Sequence, residues 1–361
     1  MKTKKLFFTL LTCSLFIVSF SSCEDDNGNG DQGTGISGTE GVYILNSGNV
    51  RDSDANLIFY SYHNQEVTYN VFADQNDKGL GDTAQDMIVY GSKVYVAVFG
   101  SDLIYVLNKQ GKEIGVIRSS TNQQPRNMTA YNGNVYVTYF DGYLAKIDTT
   151  SYQIESQVKV GRYPEYVREA NNKLYVANSG GLDYASELGY DKTVSVIDPV
   201  SMTVINTLEV VINPDKMAVD SDGSVFVVSN GDYSTVPNTL QKIDSQTDEV
   251  TILDINATYI ATNGNNLYYI YSQWIPTGNE VTIGVYNTKS DKVITTQFIA
   301  DGTLIENPYS LSVDRSTGYV YIGTSDYVSD GDMYVFNSQG KLLKMFDTKG
   351  LNPMGAYFVS W

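Results

Sequence analysis

The residues of this chain that could do covalent or metal chemistry are few. His63 is the only histidine, and Cys13 and Cys23 are the only cysteines. A zinc site normally needs several imidazole or thiolate ligands, and the lone histidine, expected in a turn on the opposite face, cannot pair with a Ser or Cys nucleophile near the binding loops. Asp220-Ser221-Asp222-Gly223 begins like a calcium loop but lacks the remaining ligands and the closing Glu, and reads as a hairpin turn. Asp82 and Asp86 could in principle share acid–base work, yet an acidic chain holds many such pairs by chance. No catalytic residue, metal site or cofactor is expected, and the chain is not expected to be an enzyme. Tyr, in contrast, is abundant, at 29 of 361 residues. Aromatic rings supply apolar area at low conformational cost while a phenol or indole tip still hydrogen-bonds, and amides donate and accept at once. That combination suits non-covalent capture of a large, flat, amphipathic ligand.

The elements that must position these residues repeat. Tyr43, Tyr95, Tyr136, Tyr175, Phe226, Tyr268 and Tyr321 each sit in a short apolar strand after a turn signal. A second apolar run follows, closed in six repeats by Asn108, Asp148, Asp198, Asp244, Asn287 and Asn337. A period of roughly 40–50 residues with about four strands per unit is that of a β-propeller blade. Blades 2 to 7 are predicted over about 84–119, 125–160, 164–211, 214–255, 257–299 and 308–347. Blade 1 has Tyr43 on its second strand, with outer strands at about 56–62 and 66–72, but no inner strand precedes it. Asn352-Pro353-Met354-Gly355 matches the start of the other blades, so Ala356–Trp361 is predicted to complete blade 1 and remove the open edge. The expectation is an all-β, seven-bladed β-propeller over residues 41–361, with no competing helical periodicity.

In such a ring the loops between the second and third strands share one face with the connections between blades. Residues expected there are Asn46, Asn49, Phe99, Gln123, Gln124, Arg126, Tyr139, Phe140, Arg162, Tyr163, Tyr166, Asn178, Tyr184, Tyr190, Asn230, Tyr233, Trp274, Tyr309 and Tyr327. Thirteen are taken as ligand-binding residues: Asn46, Phe99, Arg126, Tyr139, Phe140, Tyr163, Asn178, Tyr184, Asn230, Tyr233, Trp274, Tyr309 and Tyr327. Each alone is equally well an Asx turn or inter-blade packing; the clustering on one face carries the expectation. His63 is expected in a turn on the opposite face.

The N-terminus adds an address. Lys2, Lys4 and Lys5 precede an apolar stretch from Leu6 to Phe20 and then Ser21-Ser22-Cys23, the pattern of a secretory signal over residues 1–22. The segment SFSSC resembles a bacterial lipobox, which would make Cys23 a lipidated mature N-terminus and anchor the protein without spanning the membrane. With Cys13 removed no disulfide is possible, which agrees with that role for Cys23. Glu24-Asp25-Asp26 resembles the acidic export tag of surface lipoproteins in Bacteroidota, and residues 23–40, rich in Gly, Asp and Asn, are expected to be a flexible tether. The formal charge is −17, and losing three lysines with the signal makes the mature chain more acidic still. Such a surface repels phosphate backbones and excludes nucleic acid as a natural partner.

Repeats such as KLYVANSG…TVSVIDPVSMTVINTLEV, from Lys173 to Val210, resemble YncE-like and surface-layer-type propeller lipoproteins across all seven repeats. With the lipobox, the acidic tag and the overall length, the chain is similar to the surface-exposed cobalamin-binding propeller lipoproteins of gut Bacteroidota. That resemblance implies an outer-membrane lipoprotein that captures vitamin B12 or another corrinoid and passes it to a TonB-dependent transporter. The alternatives are a glycan- or protein-adhesion module using the same aromatics, and an enzyme of the quinoprotein or lactonase type.

Overall fold

The computed structural model describes residues 38–120, 123–273 and 280–360. Its strands form seven four-stranded antiparallel sheets. The inner strands of blades 2 to 7 are Ala84–Tyr90, Pro125–Tyr131, Pro164–Ala170, Pro214–Val219, Tyr259–Asn263 and Pro308–Val313. Blade 1 takes its inner strand, Pro353–Val359, from the end of the chain, paired with Gly41–Asn46 in a register that sets Tyr43 opposite Tyr357. The propeller and its closure are thus as the repeat predicts.

The seven repeat aromatics are all buried, Tyr268 being the most exposed at 5 %. Four of them also staple neighbouring blades through their hydroxyls. Tyr43 donates to the Lys109 carbonyl of blade 2, Tyr136 to the Pro199 carbonyl of blade 4, and Tyr175 to Asp248 of blade 5 at 2.9 Å. Tyr321 of blade 7 meets Tyr62 of blade 1 at 2.6 Å. Most buried hydroxyls find such a partner, that of Tyr95 being an exception, and each partner named lies in or beside the next blade's outer turn. The Asp and Asn that close each third strand shape those turns: Asp148 Oδ1 accepts the Thr150 and Ser151 N–H groups, and Asp244 Oδ1 those of Gln246 and Thr247.

Blade starts share a second device. Thr83, Gln124, Tyr163, Asn213, Asn307 and Asn352 each stand just before an inner strand, and all have positive φ. A register shift follows at once in blades 2, 3, 4, 5 and 7. A bulge inserts an extra residue and re-aims side chains, so consecutive residues at the top of an inner strand both reach the channel mouth.

Blade 1 departs from expectation on its outside. Its outermost strand is only Val67–Thr68, and Val71–Asn76 is a helix. Val71 and Phe72 are an apolar pair that reads as strand, but Phe72 packs on Tyr105 of blade 2 with ring centroids 4.7 Å apart. Asn76 then fastens the helix to blade 2 by donating to the Gly111 carbonyl and accepting the Glu113 N–H. Tertiary packing has overridden strand propensity.

Among the described residues, hydrogen bonds to the ring begin at Thr39. Its hydroxyl donates to Asp314 and its N–H to Ser316, in the hairpin turn of blade 7. That turn lies on the face opposite the inter-blade connections, as does His63, in the exposed turn after Asn56–Ser61. The signal segment 1–22 and Cys23 lie outside the described residues.

Candidate ligand-binding face

The loop face carries two aromatic groups around the channel mouth. On blades 2 to 4, Phe99, Phe140 and Tyr163 form a continuous chain with centroids 5.5 and 4.9 Å apart. Arg126 rises from the start of the blade 3 inner strand, its guanidinium 5.3 and 5.2 Å from the Phe99 and Phe140 rings. It donates to Glu165 through Nε at 2.8 Å and through Nη2, and to Gln85 Oε1 at 2.7 Å. A weakly hydrated planar cation between aromatic faces and a carboxylate is fixed in place. Four of the predicted residues, Phe99, Arg126, Phe140 and Tyr163, therefore meet in one cluster.

Across the mouth, blades 5 to 7 enclose a cavity of about 690 Å³. Tyr233, Tyr259, Tyr309 and Tyr327 wall it, with Asn230 and the Asp215–Lys216 pair at its base. Tyr309 and Tyr327 meet edge to face at 5.5 Å, and Tyr190 links Tyr184 to Tyr233 around the rim. Tyr184, Tyr233 and Tyr327 are 65 %, 63 % and 65 % exposed. Tyr163, Tyr233 and Tyr327 also hold φ of 48, 56 and 64°. Bulky residues rarely adopt that conformation, which costs on the order of 1–3 kcal/mol where it persists. A further left-handed tyrosine, Tyr152, packs on Lys93 on the turn face. The three on the loop face hold rings in view of solvent at a conformational cost.

Three cations of this face are held by carboxylates. Arg126 pairs with Glu165, Lys216 with Asp215, and Arg162 with Asp183 and Asp191. Burial opposes ionisation of Asp215, but Lys216, Asn230 and Arg126 outweigh it and hold the carboxyl below its usual range. Tyr166 lies between two cations, with Arg168 at 4.8 Å and Lys216 at 5.0 Å from its ring.

Three of the thirteen predicted ligand-binding residues are not on the open face. Asn46, Asn178 and Tyr139 are buried. Asn178 Oδ1 accepts the Gly161 N–H, and its amide donates to Thr193 and Ser195. Asn46 donates to Asn56 and to the Thr348 carbonyl. Both knit the second strand to the incoming connection, and glycine lets that connection pass: a Cβ at Gly161 would lie 2.4 Å from Asn178. Tyr139 packs in the core between blades 2 and 3 with Tyr95 and Ile104. Trp274 lies outside the described residues. Glu165, Asp215, Lys216 and Tyr259 belong to the site without having been predicted. Their signal is positional: Glu165 and Asp215 directly follow the blade-start prolines, as Arg126 and Tyr309 do.

Asp82 and Asp86 do not pair. Asp82 accepts the Thr83 hydroxyl and the Arg51 N–H. Asp86 is the hub of a channel-wall network, accepting from Asn127 and the Met128 N–H at 2.8 Å and from the Tyr357 hydroxyl at 3.2 Å. Asn127 in turn accepts from Arg168 at 2.7 Å. Burial pushes the Asp86 carboxyl up to about 6, with Arg168 and the Met128 N–H opposing. A carboxyl that is harder to ionise in the fold than unfolded subtracts stability as pH rises from about 4 to about 6. The loss at Asp86 amounts to about 3 kcal/mol at most. In paired urea titrations at several pH values, Asp86→Asn is expected to lose this slope; identical pH profiles for the two proteins would refute it.

Fold and site together define a seven-bladed β-propeller whose loop face carries an aromatic bowl with a cavity of ligand size. The chain belongs to the family described as a domain of unknown function, DUF5074, whose model matches residues 40–358. No curated protein matches the chain in sequence. Among solved structures it is similar to a quinonprotein alcohol dehydrogenase-like protein from Bacteroides thetaiotaomicron VPI-5482, with 19 % identity, a TM-score of 0.62, and 89 % of this chain and 78 % of that one covered. The hydrazine synthase of Kuenenia stuttgartiensis matches at 16 % identity and a TM-score of 0.59, covering 74 % and 86 %. BamB from Moraxella catarrhalis matches at 14 % and 0.52, covering 85 % and 83 %. At such identities the likeness is one of fold alone.

Proposed function

We propose that this protein is a binding protein rather than an enzyme, and that its loop face captures a corrinoid such as cobalamin without covalent chemistry. One observation carries the proposal: tyrosines in left-handed backbone, Tyr163, Tyr233 and Tyr327, ring a mouth whose cations Arg126 and Lys216 are already paired with carboxylates. A corrinoid offers a broad apolar ring face edged with neutral amides, which rings and amides match without net charge. Binding of that kind is only weakly dependent on salt. The sequence likeness to surface lipoproteins extends the proposal to location and partner. Cys23 anchors the mature protein by lipid at the outer-membrane surface, and the captured ligand passes to a TonB-dependent transporter. In cells, Cys23→Ser is expected to move the protein out of the membrane fraction; unaltered fractionation would remove the anchor from the proposal.

Calorimetry of the purified protein with cyanocobalamin, beside a glycan panel, tests the ligand. Heat with a corrinoid and none with glycans is expected; the reverse would make the protein an adhesion module. Tyr327→Asn probes the bowl directly, because Asn tolerates left-handed backbone. Its thermal stability should hold or rise while affinity falls by about 1 kcal/mol or more. Unchanged affinity would remove Tyr327 from the contact surface.

A further inference from the structure

The base of the blade 5–7 cavity holds an unfinished hydrogen-bond arrangement. Asp215 Oδ2 accepts from Lys216 Nζ at 2.7 Å and from Asn230 Nδ2 at 3.2 Å. Asp215 Oδ1 is buried and has no partner. Leaving a buried acceptor of a charged group unmade costs free energy that a bound donor would recover. Lys216 sits beside it; its ammonium has three N–H donors, of which Asp215 takes one. The two residues are adjacent in sequence yet line the same cavity, because the register shift between Pro214 and Met217 takes both out of strand alternation.

An anionic ligand group would face the Asp215 carboxylate, and a cationic one the Lys216 ammonium. A neutral group that both donates and accepts meets neither penalty and satisfies both residues. We propose that Asp215 and Lys216 form a subsite for a primary carboxamide, its N–H donated to Asp215 Oδ1 and its carbonyl accepting from Lys216 Nζ. The tyrosines around them take up the apolar body that carries the amide. This rests on the loop face being a ligand-binding surface, and it holds for any amide-bearing ligand, corrinoid or not.

Asp215→Asn isolates the idea. The donors Lys216 and Asn230 still require an oxygen, so the new side chain must turn its NH2 into the place of Oδ1. An acceptor becomes a donor with no change of shape. Benzamide, benzoate and benzylamine, followed by saturation-transfer NMR on the purified protein, form a matched panel of neutral, anionic and cationic probes. The wild type is expected to prefer benzamide to both, and Asp215→Asn to weaken benzamide roughly tenfold or more, the effect of a lost hydrogen bond to a charged group. Circular dichroism melting confirms that the variant is folded. Equal binding of the three probes, no benzamide binding, or unchanged benzamide affinity in a folded Asp215→Asn protein would each overturn the subsite. Cyanocobalamin calorimetry on the same two proteins separates the readings. A benzamide preference with no corrinoid heat sinks the corrinoid and keeps the subsite, whereas tight corrinoid binding untouched by Asp215→Asn does the opposite.

Discussion

Ending the chain at Asn352 is expected to abolish cooperative folding. The strand Pro353–Val359 is the inner strand of blade 1, and it covers Gly41–Asn46 along the whole of that buried strand. Its Ala356 and Val359 are buried, one in the core shared with blade 7 and the other in the core shared with blade 2. Its Tyr357 hydroxyl reaches Asp86. Without it, blades 7 and 2 lose their common neighbour, and the unpaired side of Gly41–Asn46 becomes an open edge prone to association. The loss is on the order of the whole net stability of a domain, about 5–15 kcal/mol. Thermal melting by circular dichroism should show no sharp transition for the truncated protein, and adding residues 353–361 as a separate peptide should restore part of it. A truncated protein that melts cooperatively near the full-length temperature would show that the ring does not depend on its last strand.

Arg126→Ala is expected to have the largest effect of any single loop-face substitution. The guanidinium contacts Phe99 and Phe140, Gln85 and Glu165 at once, so its removal leaves a largely buried carboxylate unpaired. Breaking a buried pair from one side costs about 3–5 kcal/mol; with Arg126 23 % and Glu165 12 % exposed, roughly 2–3 kcal/mol is expected here. Ligand affinity should fall roughly tenfold as the Phe99–Phe140 platform loses its support. Arg126→Lys should rescue little, because a lysine offers a point charge where a planar fork is required. Urea unfolding and calorimetry on the same preparations check both numbers. Full stability in Arg126→Ala would mean that Glu165 is solvated rather than paired.

The ring is legible in the sequence because most blades repeat two signals at a similar spacing: a turn residue before the inner strand, and a buried aromatic on the second strand. Pro164, Pro214, Pro308 and Pro353 mark strand starts directly, and following that signal to the C-terminus reveals the closure. The loop-face cluster of Phe99, Arg126, Phe140 and Tyr163 follows from the same register. What sequence does not reveal is which members of a register position are open. Asn46, Asn178 and Asn230 all stand at or just after the end of a second strand. Asn178 is sealed by the passing backbone of Gly161, while Asn230 looks onto a cavity. That difference lies in the path of a connecting segment. Lys216 is hidden for a similar reason, since a bulge and not a motif turns it, with Asp215, toward the cavity.

The way the chain joins the ring has a mechanical consequence. Thr39 and Glu40 meet the propeller on the turn face, and Gly41–Asn46 then runs toward the loop face between two antiparallel neighbours, Asn56–Ser61 and Pro353–Val359. A pull on the N-terminus is therefore directed along the strand and loads the ladders on both sides in shear. Hydrogen bonds stressed in that way share the force and must yield together, unlike those of a hairpin peeled open one at a time. The same geometry points the aromatic bowl away from the pulling end. A propeller held by its N-terminus would present its aromatic face outward, with the ladders of its first strand in line with the load.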